Sequence, residues 1–238
     1  MLDLSIIIIN RNYLKFLKKC IKSCLNQITV FKYEIIVVDD GSKDGSVKFI
    51  KSIKNSKLSF TQTKSLGIEK AANKGFKISK GRYVVRVDSD DFLNKNFVQN
   101  SLNVIKFSKK AFVYSNYFQV NTKKKTKKIF LPNFDKRELI ERGDFLATGT
   151  VYKKRIIKKL GYFSENLKNN GLENYELILK LINNNYKGIR INKFLFYYRK
   201  HIKNLSIIKK RNIENYGNKL FLKMNLGKYS RNKYHPWN

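Results

Sequence analysis

Two cysteines, two histidines and a single tryptophan stand in 238 residues, and 17 acidic side chains face 51 lysines and arginines. Cys20 and Cys24 sit four apart in a helical pattern, and with no matching cysteine pair and only two histidines they make no zinc motif. They read as small core-lining residues in a reducing compartment. No window approaches the ~20 apolar residues of a membrane span. The run Leu4-Ser5-Ile6-Ile7-Ile8-Ile9 is too short for one and lacks the basic n-region and cleavage site of a signal peptide. The expectation is a soluble, cytoplasmic protein. No internal repeat is visible. Neither a G-x-G-x-x-G fingerprint nor a G-x-x-x-x-G-K-[ST] loop follows the first predicted strand, so phosphates are not cradled by backbone there.

The scarcity of acid leaves a formal charge of +34. Such a charge attracts polyanions: nucleic acid, an acidic leaflet or phosphate-bearing substrates. The lysines are spread through every segment among Ile and Asn, however, a pattern that an AT-rich coding sequence also produces. No zinc finger, RNP signature or arginine-rich recognition helix is present, and no nucleic-acid partner is expected. A hydrophobic fraction of 42% with 13% aromatics excludes general disorder.

Strand-like runs occur at 4–10, 33–38, 57–62 and 82–87, with helical patterns between them. Leu14, Leu17, Ile21, Cys24, Leu25 and Ile28 mark the first helix. Asp44 is a plausible N-cap for the second, with Val47, Ile50 and Ile53 inward. The third runs over 68–79, with Gly81 as its terminator. Strands apolar on both faces suit a parallel sheet covered by helices, and the alternation predicts an α/β wound sheet, mostly parallel, flanked by helices. The second half changes character. A long strand is expected over 111–120, an exposed turn at 121–126, then Ile129-Phe130-Leu131. Helices are expected near 135–142, 153–160 and 173–184, and extended segments over 188–192 and 194–199. The domain expected over 1–205 divides into a nucleotide half (1–110) and an acceptor half (111–205), followed by a basic tail (206–238).

The strand Arg82-Tyr83-Val84-Val85-Arg86-Val87 ends in Asp88-Ser89-Asp90-Asp91. Side chains two apart on an extended backbone share a face, so Asp88 and Asp90 aim at one site. Two such carboxylates repel unless a cation such as Mg²⁺ or Mn²⁺, with a phosphate, lies between them. The plainer reading is a polar turn in which Asp90 or Asp91 caps a helix starting near Asn94.

Several blocks together resemble the start of a family 2 glycosyltransferase of the GT-A fold. They are Ser5-Ile6-Ile7-Ile8-Ile9-Asn10-Arg11-Asn12, Leu25-Asn26-Gln27, Glu34 through Asp39-Asp40-Gly41-Ser42 to Ser46, Ala71-Ala72-Asn73-Lys74-Gly75-Phe76, and the acidic cluster as an Asp-x-Asp motif. The resemblance implies that Asp40 accepts a hydrogen bond from the nucleotide base, framed by backbone at Ile9, Asn10 and Arg11. It implies that Asp88 meets ribose or metal and that Asp90 ligates the metal on the diphosphate. Ile9 stands where the family usually has Pro, and Ala72 where many members have Arg, leaving Lys70 to supply a phosphate contact.

The resemblance continues more loosely from 147 to 206, through Gly149-Thr150-Val151-Tyr152 and Gly161-Tyr162-Phe163-Ser164-Glu165. The segment starting Leu172-Glu173-Asn174-Tyr175-Glu176 resembles the family's Glu-Asp helix, whose Asp is the usual general base, and here that position is Asn174. A neutral amide does not take a proton from an attacking hydroxyl. Three readings follow: Glu173 serves as base, the enzyme is slow or uses an unusual acceptor, or the protein binds sugar nucleotides without transferring them. Asn174 and Glu173 also suit a helix start. His201, in Tyr197-Tyr198-Arg199-Lys200-His201, resembles a late family histidine that reaches the diphosphate or metal; a lone surface histidine is the alternative.

The implied activity is inverting, metal-dependent transfer from a UDP- or dTDP-sugar to a glycan or lipid-linked acceptor. A sugar-phosphate nucleotidyltransferase would want a Gly-rich, basic loop after the first strand, which this chain lacks. The tail interleaves Lys and Arg with Ile207, Ile208, Leu220, Phe221, Leu222, Met224 and Leu226. Such a segment either docks on an anionic membrane or packs onto the domain.

Overall fold

A computed structural model describes residues 1–121, 125–146 and 149–230. The chain runs β1 (Leu4–Asn10), α1 (Leu14–Leu25), β2 (Tyr33–Asp39), α2 (Ser46–Ser52), β3 (Leu58–Gln62), α3 (Ile68–Ile78) and β4 (Tyr83–Asp88). It continues through β5 (Phe92–Leu93), α4 (Phe97–Ile105), β6 (Phe112–Asn121), β7 (Thr126–Ile129), α5 (Lys136–Glu141), β8 (Val151–Lys153) and α6 (Lys154–Lys159). The last elements are α7 (Glu173–Asn183), β9 (Gly188–Lys200), α8 (Leu205–Ile208) and α9 (Lys210–Lys223).

One sheet has the order β3-β2-β1-β4-β8-β6-β9-β5, with β7 on β6. The first four strands are parallel, each buried side chain of β1 covered by helices as the apolar runs require. In the second half, β8 pairs antiparallel with β4 and β6, while β9 lies parallel to β6 and antiparallel to β5. The α/β wound architecture is the expected one, with its parallel character concentrated in β1 to β4.

Topology places the site. Asn10 pairs with Asp39 and Ile9 with Asp88, so the carboxyl ends of β1, β2 and β4 lie level. Asp88 ends β4 and Phe92 opens β5, a link of four residue steps that spans at most about 14 Å. In the sheet path those strands are separated by β8, β6 and β9, about 19 Å if the sheet were flat. The sheet therefore curls, and the acidic loop closes the curl.

Several expected boundaries move. Helix α1 ends at Leu25, and Ile28 is 58% exposed, because the Gln27 side chain turns to bond Ser23 O, Asn94 O and the Val98 N–H. Cys20 and Cys24 are buried and free, as expected of core residues. Asp44 precedes the α2 cap position, held by Gly45, and accepts from the Leu14 N–H of α1 as well as from Ser46. Gly81 terminates nothing; it lies against β1, where a Cβ would stand 2.6 Å from Leu4 C and Ser5 N. Neither Asp90 nor Asp91 caps α4, which begins at Phe97 beyond β5. The two extended segments expected over 188–199 are one strand, β9, with register shifts opposite Asn116. Of the turn expected at 121–126, residues 122–124 lie outside the described residues, as do 231–238 of the tail.

The tail is not a loose appendage. Ile213, Leu220 and Phe221 of α9 are buried, as is Tyr229 beyond it, and Tyr216 donates to Glu176 of α7. Those apolar positions recur at helical spacing and face the domain.

Candidate active site

A cavity of about 350 Å³ opens at the carboxyl ends of the parallel strands, lined by Ile9, Arg11, Asp40, Asp88, Asp90, Glu173 and Asn174 among others. This is where open α/β sheets take ligands. Most of the residues singled out in the sequence therefore meet in one place.

Asp39 is structural: its carboxylate accepts from Asn10 Nδ2 (2.8 Å), Ser42 N (2.8 Å) and Ser42 Oγ (2.6 Å). Asn10 is fully buried by that pairing and does not line the cavity. Asp40 sits beside it, accepting from Thr63 Oγ1 (2.7 Å), Leu66 N (2.6 Å) and Gly67 N (2.9 Å), with Arg11 Nη1 at 4.0 Å. These bonds fix the carboxylate as an anionic edge of the cavity. Lys70 is exposed on α3 and does not line the cavity, because Ala71 and Ala72 take the buried face.

The acidic loop is held by cations and N–H groups. Arg86 grips Asp88 with Nε (2.8 Å) and Nη2 (2.9 Å) and reaches Glu173 Oε1 with Nη1 (2.6 Å). Burial works against the Arg86 charge, but Asp88 and Glu173 outweigh it and hold the guanidinium above its usual pKa. Burial raises the Asp88 pKa, Arg86 pulls it back, and the charges of Asp90 and Glu173 add to the rise. Asp91 accepts from Arg199 N at 2.8 Å. Tyr13, on the rim, is pushed up to about 12 by burial and then by Asp90 and Asp88.

Ligand oxygens of Asp88, Asp90 and Asp91 lie within 4.8 Å of one another. Three hard carboxylate donors at that spacing fit Mg²⁺ or Mn²⁺. His201, expected among the ligands, is buried, stacked on Phe16 at 5.0 Å, and accepts from Lys203 N through Nδ1. That bond leaves the proton on Nε2, which lies 3.0 Å from Asp90 Oδ2. In this arrangement the His201 ring faces Asp90 and fixes its carboxylate.

On the opposite wall, Asn174 is tied down: Oδ1 accepts from Tyr152 (2.7 Å) and Nδ2 donates to Leu146 O (2.7 Å). Glu173 has one oxygen on Arg86, while Oε2 is buried without a hydrogen-bond partner among the described residues. The loop delivering Glu173 is anchored to α3. Glu69 accepts from Asn169 N (2.8 Å) and Asn170 N (2.7 Å), and Asn73 exchanges bonds with Phe163 backbone. Burial, followed by the Glu173 charge, raises the Glu69 pKa.

Sequence reasoning missed Arg86 and Asp144. Arg86 had a signal, a lone charge inside the apolar run of β4. Asp144 lines the same cavity and accepts from Tyr229 (3.1 Å), and nothing in its neighbourhood of the sequence marks it.

A curled α/β sheet with a carboxylate-lined cavity at its strand ends is the architecture of GT-A glycosyltransferases. Residues 5–161 match the family described as glycosyl transferase family 2, and the chain belongs to that family. It is 26% identical over 207 residues to glycosyltransferase GlyA of Streptococcus pneumoniae, covering 79% of this chain and 29% of that protein. It is 35% identical over 115 residues to WfaP of Escherichia coli, described as a UDP-Glc:alpha-D-GlcNAc-diphosphoundecaprenol beta-1,3-glucosyltransferase, covering 48% and 45%. The chain thus spans less than half the length of these curated relatives. The structure of S. aureus TarS 1-349 in complex with UDP-GlcNAc superposes with a TM-score of 0.75 at 20% identity, covering 95% of this chain and 67% of that one.

Proposed function

We propose that this chain transfers a sugar from a nucleotide diphosphate donor, UDP- or dTDP-linked, to a hydroxyl of a glycan or lipid-linked acceptor, with inversion at the anomeric carbon. The observation that carries the reading is the meeting, in one cavity, of Asp40, Asp88 and Asp90 of the acidic loop, with Asp91 behind them, and a buried glutamate with one unpartnered oxygen. Relatives described as acting on UDP-Glc or crystallised with UDP-GlcNAc support the donor class.

Asp40 and Arg11 border the base end of the donor, and Arg86 holds Asp88 and Glu173 in place. Asp88, Asp90 and Asp91 would hold Mg²⁺ or Mn²⁺, which when bound neutralises the diphosphate and eases its departure. Glu173 Oε2 accepts the acceptor's hydroxyl proton as that oxygen forms its bond to the anomeric carbon and the bond to the diphosphate breaks. Asn174 positions, through Tyr152 and Leu146, and takes no proton.

The acceptor end faces a surface that suits an anionic leaflet. Ile202 (82%), Ile207 (49%) and Ile208 (64%) are exposed beside Lys203, Lys209 and Lys210. No helix among the described residues is long and apolar enough to cross a membrane, so contact there is peripheral.

The test is a thermal-shift series of UDP, dTDP and their sugars with and without Mn²⁺, followed by an assay of nucleoside diphosphate release. True donors raise the melting temperature by linkage. Binding without release, in the presence of acceptor, establishes instead the second reading that Asn174 favours, a sugar-nucleotide-binding protein without transfer.

A further inference from the structure

A second cavity, of about 540 Å³, adjoins the first, and Tyr198 and Ser206 line both. One wall is the β6–β9 surface. Gln119 pairs with Tyr198, and Lys200 lies two residues further along β9 on the same face. The other wall is α9, where Lys210, Glu214 and Asn218 recur every four residues along one side of the helix. Tyr229 closes the end and bonds Asp144 of the first cavity.

Three observations say what this groove receives. Gln119 Nε2 is a buried donor with no hydrogen-bond partner among the described residues, although it lines an open cavity; such a group is normally satisfied by a ligand or water. Tyr198 and Tyr229 offer aromatic walls of the kind that sugar rings pack against while polar neighbours take the hydroxyls. Lys200 and Lys210 face the cavity from opposite walls, and neither has an ion-pair partner among the described residues. Two ammonium groups across a polar groove, with Glu214 as the one acid among its lining residues, favour a phosphate.

We propose that this groove is the acceptor subsite and that it takes a phosphate-bearing saccharide, the sugar reaching past Tyr198 toward Glu173 while its phosphate rests between Lys200 and Lys210. The inference rests on the transferase reading above and names the acceptor class of that site.

The test uses the full chain saturated with UDP and Mg²⁺, so that the first cavity is filled. Ligand-observed NMR then compares N-acetylglucosamine 1-phosphate, N-acetylglucosamine and inorganic phosphate. The expected result is at least tenfold tighter binding of the phosphosugar than of either part. A Lys200→Glu/Lys210→Glu double variant loses that preference while its UDP affinity stays within twofold, and Gln119→Ala weakens both sugars alike. Equal binding of sugar and phosphosugar, equal binding of phosphate alone, no binding, or an unaltered double variant overturns the proposal. Failure of UDP to bind at all counts against the donor reading instead, and the phosphosugar comparison, repeated without UDP, still decides the groove.

Discussion

Arg86 Nη1 lies 2.6 Å from Glu173 Oε1, joining β4 to the first turn of α7 across 87 residues of sequence. The same guanidinium holds both oxygens of Asp88. Acid loop and proposed base are therefore one electrostatic unit, and loosening either end disturbs the other. Removing one partner from a buried, hydrogen-bonded ion pair costs about 3–5 kcal/mol. Arg86→Met is expected to lower stability on that scale in urea unfolding. Arg86→Lys, which keeps the charge but not the fork, should lower turnover more than stability.

Glu173→Gln should reduce turnover by roughly 10²–10⁴-fold, the usual general-base contribution, with UDP affinity changed by less than threefold. Turnover at the level of the unaltered protein removes Glu173 from the mechanism, and Asp144→Asn then becomes the variant to measure.

Restoring the family's usual residue is not expected to restore the family's rate. Asn174→Asp replaces the donor to Leu146 O with a carboxylate oxygen, leaving a buried carbonyl unpaired at about 1–3 kcal/mol. A lower melting temperature without a gain in turnover is the expected outcome; faster turnover shows that position 174 reaches the acceptor.

Asp90→Asn should abolish the Mn²⁺-dependent part of UDP binding while leaving the melting temperature of the unliganded chain within a few degrees. EDTA should act on the unaltered protein in the same way. UDP release that persists in full with EDTA excludes the metal assignment.

Asp44, which does not line the cavity, gives a pH signature of its own. Burial raises its pKa, but bonds from Ser46 Oγ, Leu14 N and Ser46 N outweigh this and leave it below the ordinary 3.8. A depressed carboxyl stabilises above its unfolded value and loses that contribution as pH falls through the folded one. Asp44→Ala should be about 1 kcal/mol less stable at pH 7, with the deficit closing below pH 4; a deficit independent of pH removes the charge from the explanation.

The parallel strands β1 and β2 of the first half were legible because they are buried on both faces, so that Ile6–Ile9 and Ile35–Val38 announce themselves by composition. Asp40 and the acidic loop stood out in the sequence because their carboxylates gather abruptly where apolar strands end. Ile28 misled because helical spacing persists past the point where Gln27 finds better partners in the loop before α4. Gly81 misled because a glycine after a helix reads as a cap when its real constraint, the backbone of β1, is 76 residues away. The split seen in β9 was a real irregularity, a register shift rather than a loop. His201 was placed near the acidic loop from its segment alone, but its bond to Lys203 N, which fixes its ring, is invisible without coordinates.

Asp90 and Asp91 take their partners from His201 and Arg199, more than 100 residues downstream. During synthesis the four parallel strands leave the ribosome well before β9 does. The nascent β1–β4 unit must wait with Asp90 and Asp91 lacking these partners until the strand beginning at Gly188 emerges and closes the curl. Stalled chains ending before that strand should resist protease over β1 to β4 yet fail to retain UDP. The candidate site is thus completed only when β9 emerges, although the acids it gathers are made directly after β4.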